Sequence, residues 1–310
     1  MIRLLFIIPF TLLFGMALAQ QDPQLSQYMF NNMSINPGYA GSKDAICLTG
    51  GYRNQWVGFP GNPSTPLFSV SAPIKPFKIN SGIGLSGYKD MSGFENANSL
   101  NLSYAYIMDV RNGEGKLGIG LSVGFLSNTF DPKYVWLNNA PEDGVPGAKG
   151  KETAFTYDLG LGVYYHTDNL YLGVSTTHLT QSSLHYSQSG STFAMARHYY
   201  VTTGYNLAMK DPSFEVQPSI MVRYDGASSS IDLNTLVFYN KKMWAGLSYR
   251  VSSAIVGLVG MELANGIRIG YSYDFSLNTL FPSTHEIMVG YSFSIVKEKI
   301  PHKYRSVRFL

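Results

Sequence analysis

The 310-residue chain is poor in charge: 14% of its residues are charged, 14% are aromatic and 31 are glycine. An ordinary soluble domain carries roughly 25% charge, so this composition favours a wall that meets lipid on one side and packs small residues on the other. The formal net charge of +3 gives no support to a nucleic-acid partner.

Residues 1–19 have the pattern of a secretory signal peptide. Arg3 supplies the positive charge, residues 4–13 form the apolar core, and Ala-Leu-Ala at 17–19 forms the cleavage site. The short core and the small-residue site argue against the alternative, a transmembrane anchor. No later apolar run reaches ~18 residues, so a mature protein in a membrane must span it as a closed β-barrel.

Residues 20–43, which we call the lead-in, show no sustained hydrophobic period. They are rich in Gln, Asn, Gly and Pro, with scattered Tyr, Met and Phe. We predict an ordered segment without regular secondary structure. It lies either at the periplasmic mouth of the barrel or in the lumen, as a plug.

Between residues 44 and 296 apolar side chains alternate with polar or small ones, most clearly at 117–125. Side chains alternate between the two faces of a strand, and ~10-residue strands with aromatics on the apolar face are typical of outer-membrane barrels. We therefore predict an all-β, transmembrane antiparallel β-barrel of about fourteen strands in the outer membrane. The predicted strands are 45–53, 66–73, 81–89, 97–110, 116–127, 154–165, 170–177, 198–207, 214–224, 231–240, 243–250, 254–263 and a final pair within 266–296.

The connections between these strands alternate between short turns and longer loops. With the N-terminus in the periplasm, the short turns lie on the periplasmic side and the longer loops face outward, which is the usual asymmetry of such barrels. The turns are 75–80, 111–115, 166–169, 210–212, 241–242 and 264–266, and the longer loops are 54–65, 90–95, 130–152, 178–197 and 277–285. Two short links, at 226–228 and 251–252, also fall on the outer side.

Charged residues of both signs occur on the polar faces of the strands. A charge facing lipid near the bilayer midplane costs ~2–4 kcal/mol, so these residues must face inward or lie near strand ends. We favour a cross-lumen network of salt bridges that holds the lead-in; a polar conduit is the alternative. The residues are Arg53, Asp158, Glu215, Arg223, Asp232, Arg250, Glu262, Arg268 and Asp274.

Two glycine motifs match enzyme patterns but lack the required context. Residues 82–87 read G-x-G-x-x-G, which needs a following helix to bind a dinucleotide. Residues 120–124 read G-x-S-x-G, which works as a nucleophile elbow only at a strand-to-helix turn. Both lie inside predicted strands, and the six histidines show no metal-site spacing. We predict no catalytic, cofactor or metal residues, and a protein that is not an enzyme.

Two regions are candidate partner surfaces. The first outer loop begins at Arg53 and carries Trp56 and Phe59, which either fold over the barrel mouth or form a partner surface. The tail 297–310 has five basic residues against one acidic residue, and is either a solvated end or a periplasmic docking peptide. Its candidate docking residues are Lys299, Lys303, Arg305 and Arg308.

Three stretches carry a family pattern: Asp-Pro-Gln-Leu-Ser-Gln-Tyr-Met-Phe-Asn at 22–31, Asn-Pro-Gly-Tyr-Ala-Gly-Ser at 36–42, and Arg-Asn-Gln-Trp at 53–56. They resemble the PorP/SprF family of the type IX secretion system of Bacteroidetes, although Gly38 stands where we expect Ala. The resemblance covers the mature chain in length and layout. It implies a non-enzymatic outer-membrane barrel of the secretion and gliding machinery, which helps to export or anchor surface proteins that carry C-terminal sorting domains.

This resemblance implies three kinds of partner: outer-membrane lipid, exported proteins, and periplasmic or outer-membrane secretion subunits. We expect the outer loops 54–65, 130–152 and 178–197 to hold exported proteins, and the tail to meet periplasmic subunits. The main alternative is a FadL-type or porin-like channel for small solutes, which a fourteen-stranded barrel with a lumenal N-terminal segment also suits. An outer-membrane lipid hydrolase is a third possibility with no motif in its favour.

Overall fold

A computed structural model describes residues 22–110, 113–131 and 150–294 of the chain. The predicted signal peptide 1–19, most of the outer loop 130–152 and the basic tail 297–310 lie outside the described residues. Among the described residues, no helix is both long and apolar enough to cross a bilayer.

Fourteen strands form the wall, and each lies within a few residues of its predicted position. The eighth is interrupted at Asn206, beyond which Leu207–Ala208 still pairs with the ninth. The strands are β1 Ala45–Asn54, β2 Ser64–Ile74, β3 Ser81–Ser92, β4 Glu95–Val110, β5 Gly115–Phe130, β6 Glu152–His166, β7 Leu170–Thr177, β8 His198–Tyr205, β9 Phe214–Tyr224, β10 Ser229–Tyr239, β11 Met243–Arg250, β12 Ala254–Glu262, β13 Ile267–Ser276 and β14 Thr284–Ser294.

Each strand pairs antiparallel with its neighbours in sequence, and the last strand pairs with the first. Ala45 of β1 lies opposite Ser294 of β14, and Asn54 lies opposite His285. This pairing leaves no open sheet edge, so the backbone donors and acceptors of the wall are satisfied within the barrel. The prediction of an antiparallel barrel of about fourteen strands is confirmed.

The two faces of the wall differ as the alternation predicts. On β5, Ile119, Leu121, Val123 and Phe125 are 46–51% exposed and point outward. The residues between them point inward, and Ser122 is buried. The outer surface of the barrel is therefore apolar and the inner surface is polar or small.

The lead-in follows an irregular path through three short 3-10 turns, Tyr28–Phe30, Asn32–Ser34 and Pro37–Tyr39. Its polar groups bond to strands on different sides of the barrel. Ser69 of β2 donates to Asn31, Ser175 of β7 donates to the Ile35 carbonyl, and Tyr28 bonds to Ser219 of β9. The described part of the lead-in therefore lies against the inward faces of the wall.

We call the end of the barrel that carries the longer loops the outer end and the end with the short turns the periplasmic end, and the lead-in runs from the first towards the second. Asp22 contacts Thr177 and His198, at the outer ends of β7 and β8. Pro37 and Gly38 lie close to Gly118 and Gly120, near the periplasmic end of β5. The segment thus descends from the outer end of the lumen to the start of β1.

The outer loop between β7 and β8 has a small fold of its own. A hairpin of Ser183–His185 and Thr192–Ala194 buries Leu184 and Met195 against Leu126 of β5. This packing holds the hairpin against the outer end of the wall.

Candidate functional site in the barrel lumen

Six inward-facing charged residues near the outer end of the lumen form the charge network of this site. At its centre, Arg53 of β1 reaches two carboxylates on neighbouring strands. Its Nη2 lies 2.9 Å from Asp274 Oδ2, and its Nη1 lies 3.0 Å from Glu286 Oε2. The network consists of Arg53, Arg223, Asp232, Arg250, Asp274 and Glu286, all buried.

The network continues around the wall through two more arginines. Arg250 Nε lies 2.7 Å from Asp232 Oδ1, and its Nη1 lies 3.3 Å from Asp274 Oδ2. Arg223 Nη2 lies 3.2 Å from Asp232 Oδ2. Buried charges are stable only when they are paired and hydrogen-bonded, and here each carboxylate meets at least one guanidinium.

The lead-in is bonded directly into this network through Ser26 and Gln27. The backbone N–H groups of both donate to the Glu286 carboxylate at 2.8 and 2.9 Å. The Ser26 hydroxyl donates to Asp274 at 2.8 Å and accepts from Arg53 Nη1 at 2.9 Å. The charge network therefore links several strands of the wall to one another and also holds the lead-in.

A second cluster surrounds Asp22, where the described chain begins. Its Oδ1 lies 2.8 Å from Nε2 of His178, whose Nδ1 lies 3.0 Å from Oδ1 of Asp158. The hydroxyls of Tyr200 and Thr177 donate to the other oxygen of Asp22 at 2.7 and 3.0 Å. His178 thus links a lead-in carboxylate to a wall carboxylate.

The pKa values of this cluster follow from its geometry. Burial alone lowers the pKa of His178, but the charge of Asp22 and the hydrogen bonds to Asp158 and Asp22 outweigh it and raise that pKa to about 10. For Asp22, burial raises the pKa, and the two neighbouring histidines with the His178 and Tyr200 hydrogen bonds hold it well below its usual range. His178 is therefore an imidazolium between two carboxylates at neutral pH.

Glycines of the wall make space for the backbone of the lead-in. A Cβ added at Gly120 would overlap the backbone of Pro37 and Gly38, and one added at Gly82 would overlap the carbonyl of Ala40. These positions belong to the two motifs G-x-S-x-G and G-x-G-x-x-G, whose glycines face inward except Gly87, which pairs with the outward-facing Phe68. Gly38 itself is confined, because a Cβ there would lie 2.8 Å from the Gly162 carbonyl oxygen.

Cavities lie at both ends of the lead-in. A cavity of about 330 Å³ at the outer mouth is lined by Asp22, Trp56 and Phe281, among others. A second cavity, of about 230 Å³, lies near the periplasmic end beside Tyr39 and His166. Between them Leu25 and Tyr28 pack against Leu67 and Met221 of the wall.

The predicted partner residues are distributed unevenly. Arg53 is only 2% exposed and belongs to the charge network. Trp56 stacks on Phe281 with 4.3 Å between ring centroids, and Phe59 is 46% exposed. Lys299, Lys303, Arg305 and Arg308 lie outside the described residues.

The nine predicted polar-face charges divide into three groups. Arg53, Arg223, Asp232, Arg250 and Asp274 enter the charge network, and Asp158 enters the Asp22 cluster. Glu215, Glu262 and Arg268 are partly exposed and lie near the periplasmic end. Sequence reasoning missed Glu286 and His178, although the strand alternation around Glu286 already places its side chain inward.

The closed antiparallel wall with an apolar outer face and a polar interior defines an outer-membrane β-barrel protein. The family model described as "Type IX secretion system membrane protein PorP/SprF" matches residues 17–291. The chain therefore belongs to the PorP/SprF family, and it is an outer-membrane component of the type IX secretion system. No curated protein matches the chain.

Similar solved structures are outer-membrane barrels of low sequence identity. The CymD monoaromatic hydrocarbon channel is 13% identical with a TM-score of 0.49, over 84% of this chain and 91% of that one. The toluene transporter TbuX of Ralstonia pickettii is 12% identical with a TM-score of 0.46, over 84% and 92%. The toluene transporter TodX of Pseudomonas putida is 13% identical with a TM-score of 0.46, over 86% and 93%.

Proposed function

We propose that this protein is a plugged platform that binds exported surface proteins at its outer mouth and contacts secretion subunits at its periplasmic end. The observation that carries the proposal is the anchoring of the lead-in. It bonds to Glu286 and Asp274 near the outer end and packs on wall glycines near the other end. A lumen occupied in this way favours a binding surface over a conduit.

The outer mouth has the features of a protein-binding surface. The cavity there is lined by Trp56, Phe281 and Pro282 together with polar residues. Aromatic anchors surrounded by polar groups are typical of binding hot spots, and loops on a rigid scaffold are where binding usually occurs. We infer that an exported protein, presented through its C-terminal sorting domain, contacts this surface.

The experiment is a capture assay with the purified barrel and an exported protein that carries a sorting domain. Replacing Trp56 and Phe59 with alanine should weaken capture at least tenfold, since hot-spot residues contribute about 2 kcal/mol or more. Phe77→Ala is the matched control, because Phe77 is 96% exposed at the opposite end of the barrel. Equal capture by the double variant and the control would contradict the proposal.

The periplasmic contact is assigned to the basic tail. The tail carries five basic residues against one acidic residue, so docking there should weaken as salt rises. Removing residues 299–310 leaves β14 intact. Surface display of exported proteins should then fall while barrel abundance stays level. Unchanged display would assign the tail no docking role, and loss of the barrel itself would assign it to insertion.

A channel for small solutes would require the lead-in to move. A solute path requires the segment to leave the wall, and so to break its bonds to Glu286 and Asp274. Each hydrogen bond to a buried carboxylate contributes about 1.5–3 kcal/mol, and the loss of several such bonds favours the platform.

A further inference from the structure

We propose that Asp22, His178 and His198 form a binding site for a divalent transition metal ion, with Zn²⁺ as the best fit, that clips the start of the lead-in to the outer rim of the barrel. One donor atom from each residue can be chosen so that all lie within 4.8 Å of one another. The proposal is independent of what binds at the outer mouth, because it concerns only how the lead-in is held.

The two imidazoles are oriented as metal ligands usually are. Nδ1 of His178 bonds to the Asp158 carboxylate at 3.0 Å, and Nδ1 of His198 donates to the Ala196 carbonyl at 3.0 Å. Metal-binding histidines almost always engage their other ring nitrogen with such a carboxylate or carbonyl. Nε2 of His178 therefore faces Oδ1 of Asp22 at 2.8 Å, and Nε2 of His198 accepts a 3.3 Å hydrogen bond from the backbone N–H of Asp22, which an ion would have to replace.

The carboxylate is arranged to use one oxygen for the metal. Tyr200 and Thr177 donate to Oδ2 of Asp22, while Oδ1 faces His178 Nε2 at 2.8 Å and also accepts a longer, 3.4 Å bond from the Tyr88 hydroxyl. The two imidazoles are shielded from solvent, because His178 and His198 are each only 4% exposed. Three oriented donors with one position left for water make a common open zinc site.

The donor set selects the class of ion. Two imidazoles and one carboxylate, without thiolate, suit Zn²⁺ and similar transition ions, whereas Ca²⁺ and Mg²⁺ prefer oxygen ligands alone. In a tetrahedral site with bonds of about 2.0–2.1 Å, ligand atoms lie about 3.3 Å apart. Asp22 Oδ1 and His178 Nε2 are 2.8 Å apart, so this pair must open slightly, while all three donor atoms already lie within 4.8 Å of one another.

The first test measures metal binding to the full-length barrel in detergent, purified without a polyhistidine tag. Zn²⁺ titration should give a single tight site, and Co²⁺ in its place should show the visible absorption of a four-coordinate ion. His198→Gln should weaken Zn²⁺ binding by more than about tenfold, and Asp158→Asn by about 10–100-fold as the loss of a positioning residue. His185→Gln is the matched control, because His185 is exposed in the outer hairpin and bonds only to Thr192 among the described residues.

The second test asks whether the ion holds the lead-in. Protease added from the outer side should cut near Asp22 faster after chelation, and Zn²⁺ should restore protection in the wild type and in His185→Gln but not in His198→Gln. Barrel folding is followed in parallel by the mobility shift on heating. Absence of a tight Zn²⁺ site in the folded wild type, or equal affinity in His198→Gln and His185→Gln, would overturn the proposal.

Discussion

At the scale of single residues, Arg53 is the most constrained side chain of the charge network. It is 2% exposed and bonds to Asp274, Glu286 and Ser26, which together join two strands to the lead-in. A guanidinium suits this position because its planar fork can meet several acceptors at once. Its role in the structure is to balance two buried carboxylates.

Replacing Arg53 with methionine should therefore be costly. The change leaves Asp274 and Glu286 without their shared cation, and losing one partner of a buried pair costs about 3–5 kcal/mol. The measurement is urea unfolding of the barrel in detergent. Lys241→Met is the control, since Lys241 pairs with Glu215 at the surface with its side chain 75% exposed, and such pairs contribute about 0–1 kcal/mol. Equal losses in both variants would contradict the role of the network.

The wall glycines predict that a larger residue at their positions will loosen the lead-in. Gly120→Ala places a methyl group against the backbone of Pro37 and Gly38, which cannot rotate away. We expect the barrel to form while the lead-in loosens at a cost of about 1–3 kcal/mol, so protease should cut within residues 22–43. Gly257→Ala is the matched control, because a Cβ there meets nothing within 4 Å. Protection that is the same in both variants would show that the glycines are not needed to seat the segment.

The charge network and the Asp22 cluster were only partly predictable from the sequence. Alternation identified Arg53, Asp232 and Asp274 as inward charges, because a charge on the lipid side is expensive. Their partners could not be assigned, since pairing depends on which strands adjoin after closure. The Asp22 cluster was missed for the same reason: Asp22 and His178 are far apart in sequence and show no local metal spacing.

At the scale of elements, the strands follow their sequence pattern closely. β7, β9 and β11 have the predicted bounds, and β4 and β5 extend beyond theirs by up to three residues. The extensions fall at polar outer ends such as 128–130, where the apolar alternation fades but backbone pairing continues. The lead-in has no period to interpret, so its route depends on the completed barrel.

The inward or outward direction of each strand side chain predicts which single-cysteine variants a lipid-soluble probe will label. In a Cys47→Ser background, cysteines that replace Phe125 or Val289 should react with a lipid-soluble probe, because both side chains point outward. Cysteines that replace Ser122 or Asp158 should not, because these residues are buried inside. Mass spectrometry of the labelled barrels gives the readout. The reverse pattern would mean that the strand register is wrong by one residue.

At the scale of the whole molecule, the barrel and its lead-in form one bonded unit. The wall supplies rigidity through closure, and the lead-in crosses the lumen from Asp22 to the start of β1. Its bonds are concentrated at the outer charge network, and its packing at the glycines of β3 and β5. We propose that this segment closes the lumen, so that the protein works as a platform for exported proteins.

Ion conductance in a planar bilayer tests whether the lead-in closes the lumen. The wild-type barrel should be nearly silent, because the lead-in bonds to the inward faces of β2, β7 and β9. A variant that lacks residues 22–36 is the matched comparison and should conduct in steady steps. Steady conductance by the wild-type barrel would show that the lead-in does not close the lumen, and it would favour a channel for small solutes.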